Sequence, residues 1–112
     1  METAETRQTV LIITHLPDEK SAQSLAAGLV GEGLAACINI YPACRSIYRW
    51  QGVIESTLEF PVVIKTAADR YTDVEAAIRA RHPYELPDIL AVDVARGLPD
   101  YLGWVARETI TS

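Results

Sequence analysis

Residues 34–66 constrain the fold most, because they read as one long β-hairpin. Apolar and polar side chains alternate through residues 36–40 in the first arm and 54–64 in the return arm. The Gln-Gly pair at 51–52, between the two arms, suits a tight turn. Pro42 interrupts the first arm and predicts a bulge or an edge position there, since proline cannot donate to a ladder.

The length of this hairpin predicts an oligomer. Each arm is about three times as long as an ordinary strand of about 5–6 residues. A chain of 112 residues cannot supply enough partner strands to pair such an arm along its whole length. The edge left over carries Tyr48 and Trp50 and would promote aggregation unless something covers it. We therefore expect sister copies of the chain to complete the sheet.

Composition indicates one compact domain over residues 1–112. The charged fraction of 22% and the hydrophobic fraction of 49% are ordinary for a globular protein. A net charge of −5 argues against a nucleic-acid partner, which selects clustered lysine and arginine. No apolar run approaches the roughly 20 residues that span a bilayer. The polar stretch 1–8 is expected to be disordered, and without a signal-peptide apolar region it predicts a cytoplasmic protein.

The two cysteines are predicted to be free thiols. Cys37 and Cys44 lie on one extended arm, roughly 20 Å apart at about 3.3 Å per residue. A disulfide requires Cα atoms about 4.4–6.8 Å apart, so these two cannot be joined within one chain.

The other elements follow from local signals along the chain. These signals are an apolar strand at 9–14, a helix capped by Asp18, a second helix capped by Asp69, a strand at 88–95, and a last helix beginning at Pro99. The order β-α-β-β-α-β with an added carboxyl-terminal helix predicts an α+β, ferredoxin-like fold with helices on one face of an antiparallel sheet.

Four blocks stand out in order along the chain: LAACINIYPACRSIYRWQGVIE, then Glu59 and IKT, then HPYELPDI, and finally LPDYLGW. Together they resemble the CutA family, the divalent-cation tolerance proteins, over nearly the whole chain as far as Trp104. The resemblance implies a ferredoxin-like subunit, a tight homotrimer through the long hairpin strands, and an association with copper or other divalent metals.

Cys37 in LAAC and His82 in HPYE match the family's motif and carry donors that copper favours, so they are the predicted metal ligands. Some relatives carry a further cysteine near the end of the first strand, where this chain has Thr14 and His15; His15 could take its place. The alternatives are that Cys37 is a small buried hydrophobe and that His82 is a cation at a helix end. Folding is not expected to require a metal.

A second candidate site follows from the polar row of the return arm. Glu59 and Lys65 lie on one side of that strand, with Trp50 across the turn and Tyr84 in the connector after the second helix. A cleft between subunits lined by these four residues would hold a charged, anionic small molecule. The alternative is an ion pair between subunits, formed by Glu59 with Lys65 or with an arginine.

Templates for catalysis do not match. The sequence has no glycine-rich phosphate loop, no G-x-S-x-G elbow and no dinucleotide fingerprint, so an enzyme is not predicted. Three functions remain in view. The first is a trimeric metal-tolerance protein that binds metal, and the alternative is a trimeric sensor or scaffold that binds a small molecule between subunits. The third is an enzyme whose activity matches none of these templates.

Overall fold

The computed structural model describes residues 7–110. The elements in this range are β1 (Thr9–Leu16), α1 (Glu19–Gly31), β2 (Cys37–Ile40), β3 (Cys44–Trp50), β4 (Val53–Ala67), a 3-10 turn (Ala68–Arg70), α2 (Tyr71–Arg81), β5 (Leu90–Asp93) and α3 (Pro99–Arg107). Within this range, no helix is both long and apolar enough to cross a membrane.

The long strand β4 organises an antiparallel sheet. Along one edge, β4 pairs with all of β1, from Thr9 opposite Ala67 to Leu16 opposite Phe60. Its other edge pairs first with β2 and then with β3. β5 pairs with the free edge of β1, which gives the strand order β2-β4-β1-β5 with β3 continuing the line of β2. This topology confirms the predicted α+β, ferredoxin-like fold.

Two predicted strands differ in extent from what is observed. The first hairpin arm is two strands, because β2 ends at Ile40 and β3 begins at Cys44. Pro42 lies in the gap and has no N–H to donate, although the Tyr41 amide still donates to the Pro61 carbonyl at 2.9 Å. The strand predicted at 88–95 is only Leu90–Asp93, since Asp88 bonds to β1 through its side chain instead.

Alternating residues of β1 and β4 form the core against α1 and α2. Ile12, Val62 and Ile64 are fully buried on this face of the sheet and belong to the same hydrophobic cluster as Leu29 of α1 and Ile78 of α2. The predicted cap of α1 is confirmed, since the Asp18 carboxylate accepts from the Ser21 amide at 2.7 Å. Gly33 follows the helix with φ of 72°, as expected of a helix-ending glycine.

The predicted cap at Asp69 is wrong. Among the described residues no side chain caps α2, and Asp69 instead accepts two hydrogen bonds from the Arg7 guanidinium, at 2.6 and 2.9 Å. The guanidinium beside Asp69 holds the pKa of that carboxyl below its usual range. Residues 1–6 of the stretch 1–8 expected to be disordered lie outside the described residues. Of the other two, Arg7 is held by Asp69, and the Gln8 carbonyl accepts from the Ala68 amide at 2.7 Å.

The hairpin tip of β3 and β4 projects from the rest of the subunit. The chain measures 48 × 26 × 23 Å and has a radius of gyration of 14.8 Å, against about 13 Å for a compact chain of this length. Ile47, Ile54 and Leu58 are 69%, 67% and 56% exposed on the projecting part. By strand register they share one face and continue the core-facing side of the sheet past the helices. A single subunit therefore leaves a row of large apolar side chains uncovered.

Candidate functional site

A cavity of about 370 Å³ lies where the hairpin leaves the body of the subunit. Its walls come from the end of β1, from one face of the hairpin and from the connector between α2 and β5. The lining residues are His15, Ser46, Tyr48, Arg49, Trp50, Glu59, Tyr84, Leu86 and Asp88. The volume falls in the range of small-molecule sites, about 300–1,000 Å³.

Glu59 and Tyr84 form the polar contact at the base of this cavity. The Tyr84 hydroxyl donates to Glu59 Oε2 at 2.7 Å, and Glu59 is only 8% exposed. Burial, and then the hydrogen bond to this carboxylate, raise the pKa of Tyr84 well above its usual range. The hydroxyl therefore remains protonated and acts as a donor to Glu59.

His82 holds the connector in place rather than facing the cavity. Its Nδ1 accepts from the Tyr84 amide at 3.1 Å, so Nε2 carries the proton and donates to the His15 carbonyl at 2.6 Å. The ring is buried, and its centroid lies 4.7 Å from that of Tyr84. Both nitrogens are occupied, and a metal ion would have to displace one of these hydrogen bonds to bind His82.

His15 and Asp88 close the other side of the cavity. Asp88 Oδ2 lies 2.6 Å from His15 Nδ1, and Asp88 Oδ1 accepts from the His15 amide at 3.2 Å. The two contacts fix the end of the connector to the end of β1. Sequence reasoning did not place either residue in the cleft, although Asp88 belongs to the HPYELPDI block and His15 was considered only as a replacement metal ligand.

Within one subunit, the four residues of the predicted cleft do not all lie together, because Lys65 is distant from the other three. Trp50, Glu59 and Tyr84 lie together around the cavity of one subunit, whereas the cleft between subunits stays a prediction. Lys65 lies six positions along β4 from Glu59, roughly 20 Å at the usual rise, and its Nζ is 5.6 Å from the centre of the Tyr101 ring. An ion pair between Glu59 and Lys65 is therefore not formed inside one chain.

The predicted metal ligands are also apart within one subunit. Cys37 pairs with Lys65, whereas His82 bonds to His15, which pairs with Pro61. Lys65 and Pro61, the β4 residues opposite Cys37 and His15, are four positions apart, about 13 Å along the strand. Between residues 7 and 110, no group of three or more His, Cys, Asp or Glu side chains is placed to hold a metal. Ligation by Cys37 and His82 stays a prediction, while the prediction of free thiols is confirmed for Cys37 and Cys44.

Comparison with known proteins gives one consistent answer. Residues 10–108 match the family model described as CutA1 divalent ion tolerance protein. The divalent-cation tolerance protein CutA of Thermus thermophilus is 39% identical over 102 residues, which is 91% of this chain and 98% of that protein.

Solved structures agree with the sequence comparisons. The crystal structure of CutA from Xylella fastidiosa superposes with a TM-score of 0.89 at 43% identity, covering 91% of this chain and 98% of the other. CutA1 from Oryza sativa superposes with a TM-score of 0.92 at 29% identity, covering 96% and 99%. The chain therefore belongs to the CutA1 divalent ion tolerance protein family.

Proposed function

We propose that the chain works as a homotrimer in the tolerance of, or response to, divalent metal ions, copper among them. The observation that supports the assembly is the uncovered apolar row of Ile47, Ile54 and Leu58 on the projecting hairpin. A two-stranded ribbon is marginally stable on its own in water, so this part of the subunit needs a covering surface. Three copies are proposed from the family resemblance, and the proposal assigns the protein no catalytic step.

The metal-binding part of the proposal centres on Cys37. Its thiol is half-buried and free, and a thiolate is a donor that copper(I) and zinc favour. The donors described in one chain do not form a metal site by themselves, because His82 uses both ring nitrogens and His15 pairs with Asp88. We therefore propose that sister copies supply the other donors around Cys37.

Metal titration of matched variants tests this assignment. Copper(I), copper(II) and zinc would be titrated into wild type, Cys37→Ala and His82→Ala, with Cys44→Ala as the control for an unrelated thiol. We expect Cys37→Ala to weaken the tightest binding by roughly tenfold or more, and Cys44→Ala to leave it unchanged. Unchanged affinity in both Cys37→Ala and His82→Ala would contradict the ligand assignment.

The cavity supports a second candidate function, a sensor or scaffold that binds a small molecule. Three aromatic side chains and a buried carboxylate converge on one concave site, which is the usual make-up of a ligand pocket. A thermal-shift screen of metabolites against wild type and Trp50→Ala tests this function. We expect hits that Trp50→Ala abolishes and that Trp104→Phe, in α3, retains; a screen without hits would contradict it.

A further inference from the structure

Glu59 presents one unused oxygen to the cavity. Oε2 accepts the Tyr84 hydroxyl, whereas Oε1 has no hydrogen-bond partner among residues 7–110. The fully enclosed side-chain oxygens that lack partners in this range belong to Thr14 and Thr57, so Oε1 of Glu59 keeps contact with solvent, and Glu59 lines the cavity. Its hydrogen-bond donor therefore comes from outside the described chain, as water or as a bound ligand.

The charge of Glu59 is not neutralised by the other groups around the cavity. His15 and Asp88 pair with each other at 2.6 Å. Arg49 also lines the cavity, but it forms no ion pair with Glu59, and by strand register it lies on the other face of the hairpin from Tyr48 and Trp50. The lining holds two carboxylates, Glu59 and Asp88, against this one guanidinium, which favours a cationic ligand over an anionic one.

Aromatic faces surround this carboxylate. Tyr48 and Trp50 share one face of β3 with Glu59 of β4, and Tyr84 completes the wall from the connector. Tyr48 and Trp50 are 42% and 38% exposed, and they lie on the opposite face of the hairpin from Ile47, Ile54 and Leu58, the row that sister copies are proposed to cover. A cation over the face of tryptophan or tyrosine is attracted by the ring quadrupole. Leu86 adds an apolar surface for the body of the same ligand.

We propose that this cavity binds a small organic cation, a protonated amine or a guanidinium on an apolar or aromatic body. The N–H groups donate to Glu59 Oε1, and the apolar body packs against Trp50, Tyr48 and Leu86. The proposal rests on the small-molecule function above and replaces the predicted anionic ligand, which depended on Lys65. A neutral ligand would give Oε1 at most a hydrogen bond from an uncharged donor, and would therefore bind less tightly than a cation.

Three probes of matched shape test the ligand class. Phenethylamine, phenylethanol and phenylpropanoate would be titrated by calorimetry into the assembled protein, with the oligomeric state of each variant checked by light scattering. We expect phenethylamine to bind at least about tenfold more tightly than the alcohol, and the carboxylate to bind least. Glu59→Gln should remove most of that advantage, because it removes the charge that distinguishes the ammonium from the alcohol.

Two further variants control the experiment. Glu55→Gln removes an equal charge from the same strand and face but outside the cavity lining, and should change none of the three affinities. Leu86→Arg places a cation beside the cavity from a residue that is 69% exposed, and should weaken phenethylamine binding without disturbing the hairpin.

The outcomes separate this inference from the small-molecule function. Tighter binding of phenylpropanoate, lost in Trp50→Ala, would overturn the ligand class and leave the pocket as a binding site. Binding of phenethylamine that Glu59→Gln and Leu86→Arg do not weaken would overturn the role of Glu59. No binding of any of the three probes would overturn both the inference and the small-molecule function.

Discussion

The cost of replacing Ile47 by alanine shows whether sister copies cover the hairpin in the assembled protein or leave it exposed to water. In the single subunit Ile47 is 69% exposed, so about a third of its surface is buried. Truncating a fully buried isoleucine costs about 2–5 kcal/mol, and a third of that is about 1 kcal/mol. If a sister copy covers Ile47, the substitution should cost the full amount of about 2–5 kcal/mol in every chain. The excess of about 1–4 kcal/mol per chain becomes about 3–12 kcal/mol per trimer if the three sites are additive.

Dilution followed by size-exclusion chromatography with light scattering measures this difference. At about 1.4 kcal/mol per tenfold, about 3 kcal/mol raises the dissociation constant of a trimer by more than about 100-fold. Because that constant has units of concentration squared, the variant should dissociate at a concentration at least about tenfold higher than wild type does. Val30→Ala is the control, because Val30 is 45% exposed on α1, away from the hairpin. Equal dissociation of Ile47→Ala and Val30→Ala would refute the reasoning that sister copies cover the hairpin.

Three further predictions are measured by urea unfolding at a fixed subunit concentration. Asp18→Ala removes the acceptor of the Ser21 amide and should lower the free energy of unfolding by about 0.5–2 kcal/mol; an unchanged value would contradict the cap. Gly33→Ala puts a side chain at φ of 72° and should cost about 1–2 kcal/mol, whereas a more stable variant would contradict that turn. Arg7 lowers the pKa of Asp69, so the Arg7–Asp69 pair stabilises the fold above the ordinary carboxyl pKa, and this stabilisation is lost as pH falls through the lowered pKa. Asp69→Asn should therefore lose less free energy of unfolding than wild type as the pH is lowered. Parallel plots of unfolding free energy against pH would count against the pair.

The elements were predictable because their signals are local. The α1 helix has a capping aspartate at its start and Gly33 after its end, and both act through neighbours within a few residues. The strand β4 shows the apolar alternation of a sheet that is buried on one face, and β1 shows a nearly continuous apolar run. The split of the first hairpin arm was only half visible, because Pro42 signals an interruption but does not say how many residues it removes.

The site depends on contacts between distant parts of the chain, and these cannot be read from local pattern. His82 was predicted as a metal ligand because its residue type suits copper, but the carbonyl that its ring contacts belongs to His15, 67 residues away. The predicted cap at Asp69 is wrong because Arg7 contacts that carboxylate from 62 residues away in the sequence. Lys65 and Glu59 are an even number of positions apart on β4, which places them on the same face of the sheet. This alternation does not show how far apart they are along the strand.

Sedimentation equilibrium of the wild-type protein across the micromolar range tests whether sister copies complete the hairpin. We expect one species of three times the chain mass of 12.3 kDa, with no dissociation on dilution to low micromolar concentration. A stable and well-behaved monomer would show that water tolerates the exposed row of Ile47, Ile54 and Leu58. That result would contradict the claim that the hairpin is completed by sister copies.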